Sequence, residues 1–108
     1  MLYEILKIEV MVKEIMKLST EQLNAASEKL KAMAHPIRVS ILSLLQDEKL
    51  NVTQIYERLN LEQSVVSHHL GILRDNGVVL AERNGKNVYY SIKNELLSTV
   101  IDCVSKCI

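Results

Sequence analysis

The chain has 108 residues, 48% of them hydrophobic and 24% charged, a composition typical of one globular domain and not of a disordered segment. Thirteen basic residues balance thirteen acidic residues, which excludes a general electrostatic attraction to nucleic acid or to anionic membranes. Two cysteines exclude a secreted disulfide framework, and no stretch approaches the roughly 18 apolar residues of a membrane span. We therefore expect a single soluble, cytoplasmic domain over 1–108.

The N-terminal segment, residues 1–18, is predicted to be a helix because its apolar residues recur at the a/d spacing of a heptad. These residues are Ile5, Ile8, Val12 and Ile15. A helix this short cannot bury its apolar stripe alone. We expect it to pack against a second subunit, with packing on its own domain as the alternative.

Two more helices are predicted before residue 46. Ser19 followed by Gln22 resembles a capping box and opens a helix over about 20–33. The apolar face of this helix is formed by Leu23, Ala26, Leu30 and Met33. The only proline, Pro36, suits the first turn of a third helix, where its missing N–H costs nothing. The apolar face of that helix is formed by Ile37, Ile41, Leu44 and Leu45.

The segment 52–76 has the pattern of a helix-turn-helix. Asn51, with Gln54 three residues later, can cap a helix that Asn60 ends. A second helix runs from about Ser64 to Asn76 and is closed by Gly77. Two short helices joined by a tight turn make a helix-turn-helix unit.

The segment 78–92 changes to the pattern of a β-hairpin. Runs rich in β-branched and aromatic residues flank the dipeptide Asn84-Gly85, which predicts a type I′ turn with positive φ at both residues. Asn94 can cap a last helix over 94–108. The predicted fold is therefore mainly α (α+β), a winged helix-turn-helix with N- and C-terminal dimerisation helices and one β-hairpin wing.

A winged helix can place its second helix in the major groove of DNA and its hairpin on the backbone or the minor groove. In the stretch SVVSHHLGILRDNG the side opposite the apolar residues carries hydroxyl, amide and imidazole groups, while basic residues bracket the hairpin tip. The candidate DNA-binding residues are Gln63, Ser64, Ser67, His68, His69, Arg83 and Lys86. Two simpler interpretations stay open: the serines and Gln63 cap the helix beside solvated histidines, and the charged tip keeps the hairpin soluble.

Several motifs together resemble the ArsR/SmtB family of dimeric winged-helix repressors. They are AHPIR, then QSVVSHHL, LRDNG and RNGKNVYY, within a match over about residues 23–100. The resemblance implies a homodimer that represses a promoter, binds a palindromic operator in double-stranded DNA and is released by an inducer. It also places Gln63, Ser64, Ser67 and His68 in the major groove, and Arg83 and Lys86 in the wing.

One residue departs from the family's pattern. Gly71 stands in the middle of the recognition helix, where family members often carry Lys or Arg. A mid-helix glycine costs up to about 1 kcal/mol relative to alanine. The departure leaves open whether Gly71 admits close approach to a phosphate or simply lacks a contact.

Two residues of the chain are candidates for sensing a metal ion or an oxidant. The resemblance implies metal sites on the first helix of the helix-turn-helix or on the last helix, but VTQIYERL has no Cys and NELLSTVIDCVSKCI has no His. The remaining candidates, Cys103 and Cys107, lie one turn apart beside an apolar stripe that includes Ile108. They are explained by dimer packing, by a soft metal or metalloid ion, or by redox sensing. No catalytic spacing is recognised, so we expect a regulator and not an enzyme.

Overall fold

The computed structural model describes residues 2–107. For Ile15 and Met16 it describes the backbone but not the side chains. The predictions for Ile108 and for the Ile15 side chain therefore lie outside the described residues. Within that range the elements are α1 (Leu2–Met16), α2 (Thr20–Met33), α3 (Pro36–Leu45), β1 (Leu50–Asn51), α4 (Val52–Leu59), α5 (Gln63–Asp75), β2 (Val79–Asn84), β3 (Asn87–Ile92) and α6 (Glu95–Lys106). None of the described helices combines the length and the apolar character needed to cross a membrane.

Local capping signals fix the starts of three helices. At α2 the Ser19 hydroxyl accepts from the Gln22 N–H at 3.2 Å, and the Gln22 side chain accepts from the Ser19 N–H at 2.9 Å. Asn51 and Gln54 make the same reciprocal pair at α4, at 2.8 and 2.9 Å. The Asn94 side chain caps α6. The predicted starts of these helices are confirmed because each rests on contacts between residues at most three positions apart.

The strands form one antiparallel sheet in the order β1-β3-β2. The hairpin of β2 and β3 was predicted, but β1, which pairs Leu50 with Tyr90, was not. The predicted type I′ turn at Asn84-Gly85 is wrong. The two loop residues are Gly85 and Lys86, and only Gly85 has a positive φ, of 65°, which is the pattern of a type II′ turn.

The hydrophobic core joins the helix-turn-helix to the sheet. Its fully buried side chains come from α3, α4, α5, β1, β2 and the connection between α5 and β2: Ile41, Leu42, Leu50, Ile55, Val66, Leu70, Leu73, Val78 and Val79. Because the interior of a protein is closely packed, this core fixes the position of the recognition helix relative to the wing. The apolar face predicted for α2 is buried only in part, since Met33 lies in the core while Leu23 and Leu30 are 47% and 51% exposed.

Two ion pairs connect helix α1 to α6 of the same chain. Lys7 Nζ lies 3.3 Å from a Glu95 carboxylate oxygen, and Lys106 Nζ lies 2.5 Å from a Glu4 carboxylate oxygen. The hydrogen bond and the charge of Lys106 lower the pKa of the Glu4 carboxyl. The described residues of the heptad stripe, Ile5, Ile8 and Val12, nevertheless stay exposed. Contact with its own domain therefore leaves an apolar face of α1 uncovered.

Candidate nucleic-acid interface

The turn of the helix-turn-helix depends on one left-handed residue. Asn60 has φ 55° and ψ 47°, and it ends α4 after Leu59. The Leu61 N–H then donates to the Tyr56 carbonyl at 3.0 Å, the 6→1 bond of a Schellman motif. Asparagine tolerates this conformation better than most residues, because its short polar side chain can bond locally. Only Asn60, Leu61 and Glu62 separate the two helices, so α5 leaves α4 at a fixed angle.

Helix α5 has one buried face and one exposed polar face. Val66, Leu70 and Leu73 are at most 1% exposed, as their helical spacing predicted. Four of the candidate DNA-binding residues of α5 are exposed: Gln63, Ser64, Ser67 and His68. We call these four residues the α5 polar face. It offers hydroxyl, amide and imidazole groups, which bind base edges and phosphate oxygens.

The N-terminus of α5 adds to this face. Glu62 occupies the cap position, and within the described residues its side chain makes no capping hydrogen bond. The first regular backbone bond of the helix is donated by the Val66 N–H to the Glu62 carbonyl at 3.2 Å. The N–H groups of the first turn therefore point outward next to Ser64, where the helix dipole attracts anions such as phosphate.

His69 lies on the opposite, buried side of α5. It is 9% exposed, and its ring centroid lies 4.5 Å from that of His35. Burial lowers the pKa of His69, and the charges of His35, Arg38 and His68 lower it further. We therefore remove His69 from the candidate DNA-contacting set. The signal was present in the sequence, because position 69 falls three residues after Val66 and four before Leu73.

His35 connects this buried site to the start of α3. Its Nδ1 accepts a hydrogen bond from the Ile37 N–H at 3.1 Å, and Pro36 occupies the first position of the helix. The neutral ring must therefore carry its proton on Nε2. Within the described residues, Nδ1 of His69 has no hydrogen-bond partner. The imidazole pair joins α3 to α5, a contact that sequence reasoning missed because 34 positions separate the two residues.

The wing carries two exposed basic side chains near its tip. Lys86 lies in the turn, and Arg83 lies on β2 opposite Val88. Neither basic side chain has an ion-pair partner in the described part of the chain, whereas Glu82 pairs with Lys49 at 3.5 Å. Among the described residues, the positive charges of the tip are therefore not held in ion pairs.

The two cysteines line a groove between α1 and α6, which we call the cysteine groove. Its volume is about 540 Å³. Cys103 is half-buried, Cys107 is exposed, and neither is in a disulfide. Over residues 2–107, no three His, Cys, Asp or Glu side chains lie close enough together to hold a metal ion.

Comparison with known proteins decides the family. The family model described as "Bacterial regulatory protein, arsR family" matches residues 35–80. The transcriptional repressor PagR of Bacillus anthracis is 43% identical over 86 residues, which cover 79% of this chain and 86% of PagR. The chain belongs to the arsR family. The crystal structure of PagR superimposes with a TM-score of 0.75, at 40% identity over 80% of this chain and 99% of PagR.

Two further proteins are similar to this chain. The transcriptional repressor SmtB of Mycobacterium tuberculosis is 37% identical over 81 residues, which are 75% of this chain but only 60% of SmtB. The chain therefore spans less than two thirds of that relative. A Mycobacterium bovis protein, Mb0332, is described as a homodimeric winged helix-turn-helix DNA-binding domain. It matches with a TM-score of 0.74 and 26% identity over 84% of this chain and 87% of that chain.

The arsR family match covers the part of the chain that builds the interface. It begins at His35, which caps α3, and ends at residue 80 in β2, so it includes both helices of the helix-turn-helix. The predicted family and the predicted winged-helix fold are confirmed. Helices α1 and α6, and with them both cysteines, lie outside the match.

Proposed function

We propose that this chain is a homodimeric transcriptional repressor that binds double-stranded DNA through α5 and the wing. The observation that carries this proposal is the α5 polar face. The apolar side of α5 packs in the core, so the polar face of this second helix of the helix-turn-helix is exposed. Membership of the arsR family and the repressor relatives support it. Operator binding would place the protein in the cytoplasm, where the bacterial chromosome is.

Each group would contact a different part of the DNA. Ser67 and His68 lie one turn into α5, where side chains of a recognition helix reach base edges in the major groove. Gln63 and Ser64 lie in the first turn, where they can hold a phosphate together with free backbone N–H groups. Arg83 and Lys86 would contact the DNA backbone beside the groove. The local positive charge is small, so two subunits are needed for a useful electrostatic contribution.

A second copy of the chain would provide those two subunits and would cover the apolar surface that a monomer exposes. Exposed apolar residues lie on three helices: Ile5, Ile8 and Val12 on α1, Leu23 and Leu30 on α2, and Leu96 and Val104 on α6. Patches of this kind on small proteins are typical of protein interfaces. A twofold dimer would place two recognition helices on half-sites about 34–36 Å apart, and hence on a palindromic operator.

A gel-shift titration on DNA from upstream of the protein's own gene tests this function. The variant Ser67→Ala/His68→Ala should lose specific binding while it remains a dimer, because both side chains are exposed. Ser27→Ala, on an exposed position of α2, is the matched control and should bind as the wild type does. Unchanged affinity of the double variant would refute the assignment of α5. It would favour a winged-helix module that binds a protein partner.

A second candidate concerns the signal and rests on the cysteine groove. Cys103 and Cys107 are four residues apart on α6, so two thiolates from each of two subunits could coordinate one soft metal or metalloid ion. An oxidant is the other candidate signal, although Cβ atoms at this spacing are about 5–6 Å apart, too far for a relaxed disulfide within one helix. A Cys103→Ser/Cys107→Ser variant that responds to soft metals and oxidants as the wild type does would show that the cysteines only pack.

A further inference from the structure

A separate cavity of about 380 Å³ lies between α1, α2 and α6, and we call it the α2–α6 cavity. Its lining is largely apolar. Met11, Leu18, Ala26, Leu97 and Val100 are half-buried, whereas Leu30 and Leu96 are exposed and belong to the surface that a second copy would cover. Cavities of about 300–1,000 Å³ with apolar walls and a few polar groups are typical of sites for small molecules. None of the polar residues that line the α2–α6 cavity also lines the cysteine groove.

Two of the four polar side chains that line the α2–α6 cavity, Lys29 and Lys93, lie near one point. A Cβ atom placed on Gly77 would lie 3.2 Å from Lys29 Nζ and 3.8 Å from Lys93 Nζ. Two ammonium groups of residues that line the cavity therefore lie within 4 Å of the same position. The cavity is also lined by Glu14, whose carboxylate lies 4.0 Å from Lys17 Nζ. Like charges held this close favour an anion between them.

We propose that the α2–α6 cavity binds a small amphipathic anion, such as a medium-chain carboxylate. Its apolar body would lie against Ala26, Leu97 and Val100, and its anionic head between Lys29 and Lys93. Charge complementarity selects this occupant over a neutral apolar molecule. In its regulatory part the proposal rests on the function proposed above, because the bound anion would be the inducer.

The position of the two lysines connects the cavity to both DNA-facing elements. Lys29 Nζ donates to the carbonyl of Asn76, the residue that ends α5, at 3.4 Å. Lys93 follows β3 directly, and its backbone N–H donates to the Val78 carbonyl at 3.0 Å. A bound anion would compete with Asn76 for Lys29 and so change the contacts that fix the end of α5. A ligand that binds the altered arrangement more tightly must weaken DNA binding by the same factor.

Isothermal titration calorimetry of the full chain, in the absence of DNA, tests the site. Decanoate is the probe, and 1-decanol, which has the same chain without the charge, is the matched ligand. We expect saturable binding of decanoate and at least about tenfold weaker binding of decanol, since a charge-assisted contact is lost. Equal binding of the two ligands would overturn the proposal.

Three variants assign the binding to this cavity. Lys29→Gln/Lys93→Gln should weaken decanoate binding about tenfold or more. Lys31→Gln, on the outer side of α2 and paired with Glu28, should leave it unchanged. Ala26→Leu fills the cavity and should abolish binding while the chain stays dimeric by light scattering. If no decanoate binds the wild type and Ala26→Leu dissociates the dimer, a second copy of the chain occupies the cavity, and the proposal is wrong.

The regulatory part is measured separately from the DNA-binding function. Decanoate should weaken wild-type binding to the operator by at least about fivefold and should have no such effect on Lys29→Gln/Lys93→Gln. Decanoate binding by a protein that never binds DNA specifically would refute the proposed function and leave the site intact. Specific DNA binding that decanoate does not change, despite saturable binding of the anion, would refute the role as inducer.

Discussion

Replacing Gly71 with arginine should strengthen DNA binding and make it more dependent on salt. Gly71 lies in the middle of α5, three, four and seven residues after His68, Ser67 and Ser64, and so on the same face of the helix. Apart from its chain neighbours and the backbone of α5 itself, a Cβ atom added there meets no atom within 4 Å. The larger side chain therefore enters open space on the surface that we expect to face DNA.

The magnitudes follow from the position. Removing a mid-helix glycine should raise the free energy of unfolding by roughly 0.5–1 kcal/mol, in Gly71→Ala and Gly71→Arg alike. One added phosphate contact per subunit should steepen the slope of log K against log salt concentration by about 0.9, and hence by about 1.8 for a dimer. Stability and salt dependence thus separate the helical effect from the charge effect.

Fluorescence anisotropy with an operator fragment, measured between about 50 and 200 mM salt, gives that slope. Gly71→Ala is the matched control and should keep the wild-type slope while it gains stability in denaturant. If Gly71→Arg is folded and dimeric but has the slope of Gly71→Ala, the outer face of α5 does not lie against phosphates, and the assigned interface is wrong.

Three further predictions concern the scaffold of the interface. Leu70→Ala should lower the free energy of unfolding by about 2–5 kcal/mol in urea titrations, because the side chain is 1% exposed; a loss below about 1 kcal/mol would contradict its place in the core. Asn51→Ala should cost about 1 kcal/mol through loss of the α4 cap, with Asn24→Ala on exposed α2 as a neutral control. The folded state lowers the pKa of His69, so as the pH drops the imidazole takes up a proton first in the unfolded state. The free energy of unfolding should therefore fall as the pH drops below about 6.5. His69→Gln should flatten this part of the stability–pH profile, and an unchanged profile would exclude His69 as its source.

The sequence predicted the elements that depend on neighbouring residues. Ser19, Asn51 and Asn94 were recognised as caps because a helix start is decided within one turn. The wing was recognised because strand-like runs flank a short turn. The family motifs then placed the helix-turn-helix within the chain.

Features that depend on distant residues were missed. Strand β1 has two residues, and it exists because Leu50 and Asn51 pair with Tyr90 and Tyr89 some 40 positions later. The turn type depended on strand register, which makes Gly85 and Lys86, and not Asn84, the loop residues. The convergence of Lys29 and Lys93 at Gly77 has no local pattern, because the fold alone brings these three positions together.

A hydroxyl-radical footprint of the wild-type protein on the DNA upstream of its own gene tests most directly whether a dimer binds DNA through two α5 helices. We expect two protected segments related by a twofold axis, with centres about one helical turn of DNA apart, and loss of both in Ser67→Ala/His68→Ala. A single protected segment, or uniform protection that the double variant keeps, would contradict binding by two recognition helices.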